Sequence, residues 1–393
     1  MKFKKKVKYL AGLLGYPTGF EALTVGNIVM IVVGLLFIYL AISRKWEPYE
    51  LLPIGFGIIL VNLASATEVT GLLRPETGVA GTTGLLWIFL EYGLYRYTIL
   101  PQLIFLCIGA MTDFGPLLSN PKTFFLGAAA QIGIYTSFLG AILLGFSIPA
   151  ACAIGIIGGA DGPTTIYTTS RLAPEIMGIT AVAAYSYMAL VALIQPPIVK
   201  ALTTEEERKI EMKILRDVPK IEKILFPLLA SIFIVLLVPN SAPLIGMFMF
   251  GNLLKESGVV KRLSDTAQND FLNIITIILM LCIGASMPAE QVLQLKTILV
   301  LGLGLAAFAV GTASGVIFAK IMNLFVKEKV NPIIGAAGVS AVPMAARVAQ
   351  HLGKEANPKN NLLMHAMGPN VAGVVGSAVA AGVFLGMVSP PII

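Results

Sequence analysis

The stretch "GGADGPTTIYTTS", residues 158–170, places one acidic side chain, Asp161, between glycine and proline residues in an apolar part of the chain. The ten residues before it, "IPAACAIGII" (148–157), carry no charge. An ionised aspartate at membrane depth costs about 2.5 kcal/mol or more, so such residues usually have a function. The alternative is a solvent-facing turn, because Asp-Gly and Gly-Pro both favour turns. Asp161 is therefore the first candidate for a site residue.

Oxygen-bearing side chains accompany this carboxylate. Thr164 follows it closely, and later segments contribute Asn331, Ser340 and Asn370, the last directly after another Gly-Pro pair. Carboxylate, amide and hydroxyl oxygens suit a hard cation such as Na⁺ rather than a soft metal. For the hydroxyl groups, the alternative is local hydrogen bonding to the backbone. The set predicts a Na⁺ site that includes Asp161.

The cysteine and histidine content gives no sign of a thiolate or zinc site. The chain has 3 cysteines and 2 histidines. The cysteines lie in apolar runs with no CxxC spacing and no histidine nearby. We therefore expect neither a disulfide nor a metal–thiolate centre.

One basic and two phenolic side chains are further candidates. Arg347 follows Pro343 by four residues in the segment "PMAARVAQHLG". It either extends to the membrane interface or acts as a counter-charge or a receptor for an anionic substrate. Tyr185 and Tyr187 lie well inside an apolar run, about ten residues before its Pro-Pro end. They belong either to an aromatic belt or to a site where a phenol contacts an ion or transfers a proton.

The composition predicts an all-α polytopic membrane protein. Of the 393 residues, 56% are hydrophobic and 12% are charged, whereas a soluble chain carries about 25% charged residues. About 20 apolar residues suffice to cross a bilayer. The apolar runs are 26–43, 51–63, 84–92, 100–112, 123–147, 176–199, 224–238, 243–254, 271–288, 296–323 and 361–388.

The basic residues fit the same interpretation. The formal net charge is +7, but the lysines and arginines concentrate in loops, as in "MKFKKKVKY" at the start. Loop Lys and Arg on the cytoplasmic side are the ordinary positive-inside pattern. We therefore expect a multi-pass protein of the cell (cytoplasmic) membrane that contacts lipid and no nucleic acid.

The chain divides into two halves that resemble each other. "LCIGA" occurs at 106–110 and again at 281–285. "IGIIGGADGPTT" at 154–165 aligns with "IGAAGVSAVPMA" at 334–345, matching two glycines and a proline. A polar stretch, 200–223, separates the halves and is predicted to be an amphipathic helical linker. The predicted domains are an N-terminal interfacial segment (1–25), a first membrane repeat (26–199), the charged linker (200–223) and a second membrane repeat (224–393).

Duplicated halves with matching Gly/Pro interruptions are typical of transporters. In such folds the ion site lies near the bilayer midplane, where interrupted or re-entrant helices of two repeats meet. Irregular backbone at that depth is tolerated only where it is buried or lines a cavity. We therefore expect residues 154–165 and 334–345 to meet in this way, with the two repeats in inverted orientation.

Three stretches of the sequence resemble a known protein family. "GGADGPTTIYTTSRLAPE", "NPIIGAAGVSAVPMAARVAQ" and "MHAMGPNVAGVVGSAVAAG" are similar to blocks of the β-subunits of sodium-translocating biotin-dependent decarboxylases, which serve oxaloacetate, glutaconyl-CoA, methylmalonyl-CoA or malonate decarboxylation. The resemblance spans nearly the whole chain. The stretch 64–80 departs from the family pattern and is interpreted as a variable loop.

The resemblance implies a function. The β-subunit decarboxylates carboxybiotin, which is carried on a separate subunit, and uses the free energy to export Na⁺. It implies partners: a biotin carrier protein, a carboxyltransferase α-subunit, a small membrane-anchor subunit and further copies of the β-subunit. The implied catalytic residues are Asp161, Tyr187 and Arg347, and the implied Na⁺ contacts are Asp161, Asn331, Gly335, Ser340 and Asn370.

These residues suggest a mechanism in which the cation and the proton are coupled. Arg347 holds the carboxylate of carboxybiotin. Tyr187 then gives a proton to the ureido nitrogen, and a Na⁺ ion beside Asp161 favours the resulting phenolate. The alternatives are a Na⁺-coupled secondary transporter without decarboxylase chemistry, and a channel-like or assembly subunit. The acid that the complex decarboxylates is chosen by the carboxyltransferase and not by this chain.

Overall fold

The structure is a computed structural model that describes residues 23–64 and 84–388. Within these two ranges the chain is helical and contains no β-strand, which confirms the all-α class. The predicted interfacial segment 1–25 and the variable loop 64–80 lie almost entirely outside the described residues. Long charge-free runs fold as helices because a backbone in lipid must satisfy its hydrogen bonds internally.

The first half contains ten helices in its described part. A π-helical stretch, Phe89–Arg96, continues the third of them. The helices are α1 (Val25–Arg44), α2 (Pro48–Ala64), α3 (Leu85–Ile88), α4 (Ile99–Met111), α5 (Gly115–Ser119), α6 (Phe124–Ala130), α7 (Ile132–Leu143), α8 (Ile148–Ile157), α9 (Gly162–Leu172) and α10 (Met177–Leu202).

The linker and the second half follow in the same style. A π-helical stretch, Ala267–Phe271, and a 3₁₀ segment, Pro332–Gly338, interrupt the α-helices. The helices are α11 (Glu205–Arg208), α12 (Lys220–Leu237), α13 (Ala242–Ser257), α14 (Lys261–Thr266), α15 (Leu272–Ala285), α16 (Ala289–Val292), α17 (Leu295–Phe325), α18 (Met344–Ala356) and α19 (Leu363–Val388).

Several of these helices are long and apolar enough to cross a membrane. Five satisfy that test, and the number rises to seven if each of two bent pairs counts as one span. One bent pair joins α3 and its π-helical continuation to α4 at 75°, and the other is α10, which bends by 60°. The protein is a multi-pass membrane protein in which two apolar helical segments bend sharply.

The two halves pack against each other reciprocally. Helix α4 of the first half runs along α13 of the second, and α15 of the second half runs along α2 of the first. Glycine permits both approaches: a Cβ on Gly109 would overlap the Phe248 carbonyl oxygen, and a Cβ on Gly284 would overlap that of Ile54. Gly109 and Gly284 are the glycines of the two "LCIGA" sequences.

Two buried asparagines form reciprocal hydrogen bonds between the same pairs of helices. Asn62 of α2 donates its side-chain amide to the carbonyl of Met287 (3.0 Å), and Asn252 of α13 donates to that of Thr112 (2.9 Å). Each acceptor follows the glycine of an "LCIGA" sequence by three residues. A carbonyl beyond the end of each helix therefore has a side-chain donor, as helix ends require.

The linker does not form the predicted amphipathic helix. Helix α10 extends through Leu202, α11 is a single turn, and residues 209–219 form no helix. A side-chain amide of the second half holds the start of this segment. Asn331 donates to the carbonyls of Arg208 and Ile210, both at 2.9 Å. The helix prediction was wrong because these carbonyls bond to distant side chains rather than to the next helical turn. We call residues 209–219 the linker strap.

Salt bridges fix the strap at the surface. Lys213 donates to Glu328 (2.5 Å) and Arg216 to Glu222 (2.6 Å). The hydrogen bond from Lys213 lowers the pKa of the Glu328 carboxyl, and that from Arg216 lowers the pKa of Glu222. Because all four side chains are substantially exposed, these pairs order the strap and contribute little to stability.

Candidate functional site

The break in the first half lies between α8 and α9. Ala160 adopts the left-handed conformation (φ 53°), which interrupts the helical backbone between them. Asp161 then caps α9, since its Oδ1 accepts the backbone N–H of Thr164 at 3.0 Å. Pro163 stands in the first helical turn, where its missing N–H costs nothing. The glycine, aspartate and proline types therefore determine where the helix stops and restarts.

The break in the second half lies between the 3₁₀ segment and α18. Its released carbonyls are taken by one amide: Asn370 Nδ2 donates to Ala337 (2.9 Å) and Val339 (2.7 Å). The two breaks touch directly, because the backbone N–H of Ser340 donates to the carbonyl of Gly159 at 2.9 Å. The predicted meeting of 154–165 with 334–345 is thus seen in the contacts.

Asp161 is buried at this junction and bonds to the second half. Its side chain is 4% exposed, and its Oδ2 accepts the Ser377 hydroxyl at 2.5 Å. The Ser340 hydroxyl donates in turn to Ser377 Oγ at 3.2 Å. No cation pairs with Asp161 within the described ranges. A buried carboxylate held by neutral donors alone favours a positive ligand.

Further buried oxygens near this acid have no hydrogen-bond partner within residues 23–64 and 84–388. They are Thr164 Oγ1, the Tyr185 hydroxyl and Asn370 Oδ1. The Tyr185 ring lies against the residue after Asp161, since a Cβ on Gly162 would stand 2.8 Å from the phenol oxygen. An unsatisfied buried polar group costs about 1–3 kcal/mol, so a hard cation coordinated here would relieve several such costs.

A cavity of about 190 Å³ opens onto the carboxylate. Its polar side chains are those of Asp161, Ser340 and Thr112, and the other walls are apolar. The lining residues are Ile108, Met111, Thr112, Asp161, Gly162, Pro163, Met188, Ser340, Val342, Pro343, Met367 and Val374. We call this space the Asp161 cavity.

Two sequence-predicted residues lie apart from the carboxylate. The Tyr187 hydroxyl donates to the carbonyl of Leu301 in α17, and its ring packs against Gly304. Arg347 is exposed on α18, and its guanidinium makes no hydrogen bond or ion pair with any residue that the structure describes. It follows Pro343, a cavity residue, by one helical turn.

Two other predicted residues support the second break from outside. Asn331 caps the 3₁₀ segment, accepting the N–H of Ile333 at 3.1 Å while its amide holds the linker strap. Gly335 lets that segment approach α17, because a Cβ there would overlap the Gly315 carbonyl oxygen. The structure thus brings Asp161, Ser340 and Asn370 together and places Asn331 and Gly335 in the frame around them.

Ser377 is the site residue that the sequence reasoning missed. It lies in the small-residue run "GVVGSAVAAG", where a serine is typical of close helix packing and gives no sign of a binding site. Its spacing was the available signal: it follows Asn370 by seven residues, two helical turns, on the same face of α19.

The ligand set differs from that of a transition-metal centre. Among the residues that the structure describes, no group of three or more His, Cys, Asp or Glu side chains is placed to hold a metal ion. One carboxylate with hydroxyl and amide oxygens fits a monovalent hard cation better than zinc.

These features define a class of protein: a helical membrane protein in which two interrupted segments enclose a single buried carboxylate, an arrangement typical of ion-coupled transport. The family model for the Na⁺-transporting oxaloacetate decarboxylase beta subunit matches residues 26–388. The chain therefore belongs to this family of beta subunits, which confirms the resemblance seen in its motifs.

The chain is similarly identical to relatives that are named for different decarboxylation reactions. The chain is 56% identical to the glutaconyl-CoA decarboxylase subunit beta of Acidaminococcus fermentans, covering 94% of this chain and 96% of the relative. It is 54% identical to the methylmalonyl-CoA decarboxylase subunit beta of Propionigenium modestum, covering 95% and 97%. It is 52% identical to the oxaloacetate decarboxylase beta chain of Klebsiella pneumoniae, covering 93% and 96%.

Proposed function

We propose that this chain is the membrane subunit that decarboxylates carboxybiotin and couples that reaction to Na⁺ export. The observation that carries the proposal is the buried Asp161 carboxylate, which bonds across the junction of the two halves and opens onto a cavity. One residue thereby joins a candidate ion site to a space that admits a small organic molecule.

The relatives support carboxybiotin as the substrate. Beta subunits named for three different acids are 52%, 54% and 56% identical to this chain. A subunit that bound each acid itself would need a different pocket in each. A subunit that acts on an intermediate common to the three reactions needs only one, and carboxybiotin on a separate carrier is such an intermediate.

The proposed ion site combines one charge with neutral oxygens. Asp161 supplies the negative charge, and Ser340 and Asn370 supply oxygens from the second half. Thr164 and Tyr185 join the proposal because their oxygens are buried without partners in the described part. Hard cations prefer such oxygen ligands. The predicted contributions of Asn331 and Gly335 remain part of the proposal, and the contacts in the structure support a framing role for both.

The proposed reaction is the cleavage of carboxybiotin to biotin and CO₂. The bond between the ureido nitrogen and the carboxyl carbon breaks, CO₂ leaves, and the electron pair stays on nitrogen, which takes a proton. Tyr187 is the proposed donor, and this requires its hydroxyl to leave the Leu301 carbonyl. Arg347 is the proposed partner of the carboxylate before it departs, since guanidinium–carboxylate pairs are charge-assisted. Its exposed side chain is available for that bond.

We also propose that the two halves are an inverted duplication. The supporting observations are the reciprocal packing of α4 on α13 and α15 on α2, and the paired bonds of Asn62 and Asn252. The breaks correspond as well, α8–α9 in one half and the 3₁₀ segment–α18 in the other. Relative movement of such halves would expose one site to alternate sides.

The charge distribution supports an orientation with the linker in the cytoplasm. Basic residues crowd the linker side, whereas Arg171 lines a cavity at the opposite end, beside Pro239 and Leu385. Positive loops remain cytoplasmic. The basic residues in the linker or lining its cavities include Lys122, Lys209, Lys213, Arg216, Lys223, Lys327, Lys329 and Lys359.

The proposed setting is the cytoplasmic membrane of a cell. There the chain would assemble with a biotin carrier protein, a carboxyltransferase α-subunit, a small membrane-anchor subunit and further copies of itself. Carboxybiotin formed in the cytoplasm would reach this chain from the linker side.

Reconstitution of the chain in vesicles with a carboxylated biotin carrier tests the function. We expect CO₂ release that depends on Na⁺ and on the carrier, with ²²Na⁺ moving across the membrane. Uptake of Na⁺ with an organic anion, in the absence of a carrier and of CO₂ release, would instead establish a secondary transporter and contradict the proposal.

A further inference from the structure

A second cavity lies between the Asp161 cavity and the linker. It has a volume of about 510 Å³ and is roofed by the linker strap, with Arg216 and Asp217 among its lining residues. Its floor includes Asp113 from the segment after α4 and Met364 and His365 from the first turn of α19. We call this space the vestibule.

The vestibule and the Asp161 cavity have adjoining walls on two elements. On the first, Thr112 lines the Asp161 cavity and the next residue, Asp113, lines the vestibule. On the second, Met367 lines the Asp161 cavity and Met364, one helical turn earlier, lines the vestibule. The end of α4 and the first turn of α19 therefore form the boundary between the two spaces. We call this boundary the neck.

The wall chemistry changes along this path. The vestibule has charged side chains among its walls: Lys223 pairs with Asp113 at 3.6 Å, and the Lys359 ammonium has no ion pair among the described side chains. His365, 7% exposed, lines the vestibule, and its Nδ1 has no hydrogen-bond partner in the described part. Unpaired polar groups here suit an anionic or hydrogen-bonding head group.

The inner walls are apolar and adaptable. Met111, Met188 and Met367 line the Asp161 cavity, and methionine side chains reshape readily around a ligand. A hydrated cation gains nothing from such walls, because it must exchange water for oxygen ligands. A flexible apolar stem with a polar ring at its tip gains from both parts of the path. The biotinyl group of a carrier protein has that form.

We propose that the neck is the access route of the biotinyl arm, with Met364 and Met367 as its movable wall and His365 as a hydrogen-bonding group at its mouth. This inference rests on the proposed function and adds to it the path and the residues that the arm passes. The arm enters beneath the linker strap, crosses the vestibule and places its ureido ring in the Asp161 cavity.

Site-directed labelling tests the route. Met364→Cys is made in the full chain, and its decarboxylation rate with carboxylated carrier is measured before and after reaction with a bulky maleimide. Met387→Cys is the matched control, because both methionines are on α19 and exposed, at 50% and 61%, and Met387 is at the opposite end. The native cysteines Cys107, Cys152 and Cys282 are buried, and the unsubstituted chain reports any background labelling.

We expect the label on Met364→Cys to lower the carrier-dependent rate at least tenfold, and the label on Met387→Cys to change it less than twofold. Biotinylated carrier should slow the maleimide labelling of Met364→Cys and leave the labelling rate of Met387→Cys unchanged. Na⁺-dependent thermal stabilisation should persist after labelling, because the ion site lies beyond the neck. The route would be overturned if the unsubstituted chain is active, the label on Met364→Cys leaves the decarboxylation rate unchanged, and the carrier does not slow that labelling. A chain that never releases CO₂ would instead overturn the proposed function.

Discussion

Substitution of Asp161 by asparagine removes the charge of the site and keeps both hydrogen-bond partners of the side chain. The new Oδ1 accepts the Thr164 N–H as before, since asparagine and aspartate are equally good N-caps. The new Nδ2 donates to Ser377 Oγ, and the Ser377 hydroxyl turns fully to the carbonyl of Val374, 2.9 Å away. The variant should therefore fold, and only its affinity for a cation should fall.

The expected loss is large. Two unit charges about 4 Å apart attract by about 4 kcal/mol at an effective dielectric constant of about 20. At about 1.4 kcal/mol per tenfold change, this is nearly a thousandfold in affinity. A ligand that binds only the folded state raises its stability by RT ln(1 + [L]/Kd). The unfolding temperature of the wild type should therefore be higher in NaCl than in choline chloride, and that of the variant should be the same in both salts.

The assay is thermal unfolding in detergent together with ²²Na⁺ binding. Asp113→Asn is the matched control, because Asp113 is a partly exposed aspartate that pairs with Lys223 in the vestibule. It should keep the Na⁺-dependent shift. Asp161→Asn with Na⁺ affinity within tenfold of wild type would refute the assignment of this carboxylate to the ion.

Three further substitutions test the frame and the chemistry. Tyr187→Phe should keep Na⁺ binding and lose turnover in the decarboxylation assay; equal losses of both would contradict proton donation. Gly335→Ala should lower stability by about 1–3 kcal/mol through overpacking on the Gly315 carbonyl, measured by thermal unfolding, whereas Gly302→Ala, with open space around it, should not. Asn331→Ala should free the linker strap and speed its proteolysis, and unchanged cleavage would contradict the strap contacts.

The sequence predicted the helices well, because each long apolar run has one way to satisfy its backbone in lipid. The run 296–323 is α17, and 361–388 is α19. The breaks were also predictable, since glycine and proline at 158–163 prevent a continuous helix. These features depend on local chemistry, which the sequence displays directly.

The features that the sequence did not predict depend on contacts between distant segments. The linker strap is not helical, because Asn331 of the second half donates to the carbonyl of Ile210. The carbonyl of Arg208, directly before the strap, accepts from both Asn331 and Asn360, and no local pattern shows these contacts. Tyr185 and Tyr187, two residues apart, point in widely different directions on one helix at 100° per residue. Only the packing of α17 and α9 decides which of them lies against Gly162.

The most direct test of the ion assignment is an experimental structure of the chain in NaCl and in choline chloride. We predict an ordered ion in NaCl that contacts the Asp161 carboxylate and oxygens of the second half, and none at that place in choline chloride. An ion bound elsewhere in NaCl, with the Asp161 carboxylate still bonded only to Ser377 and Thr164, would contradict the account.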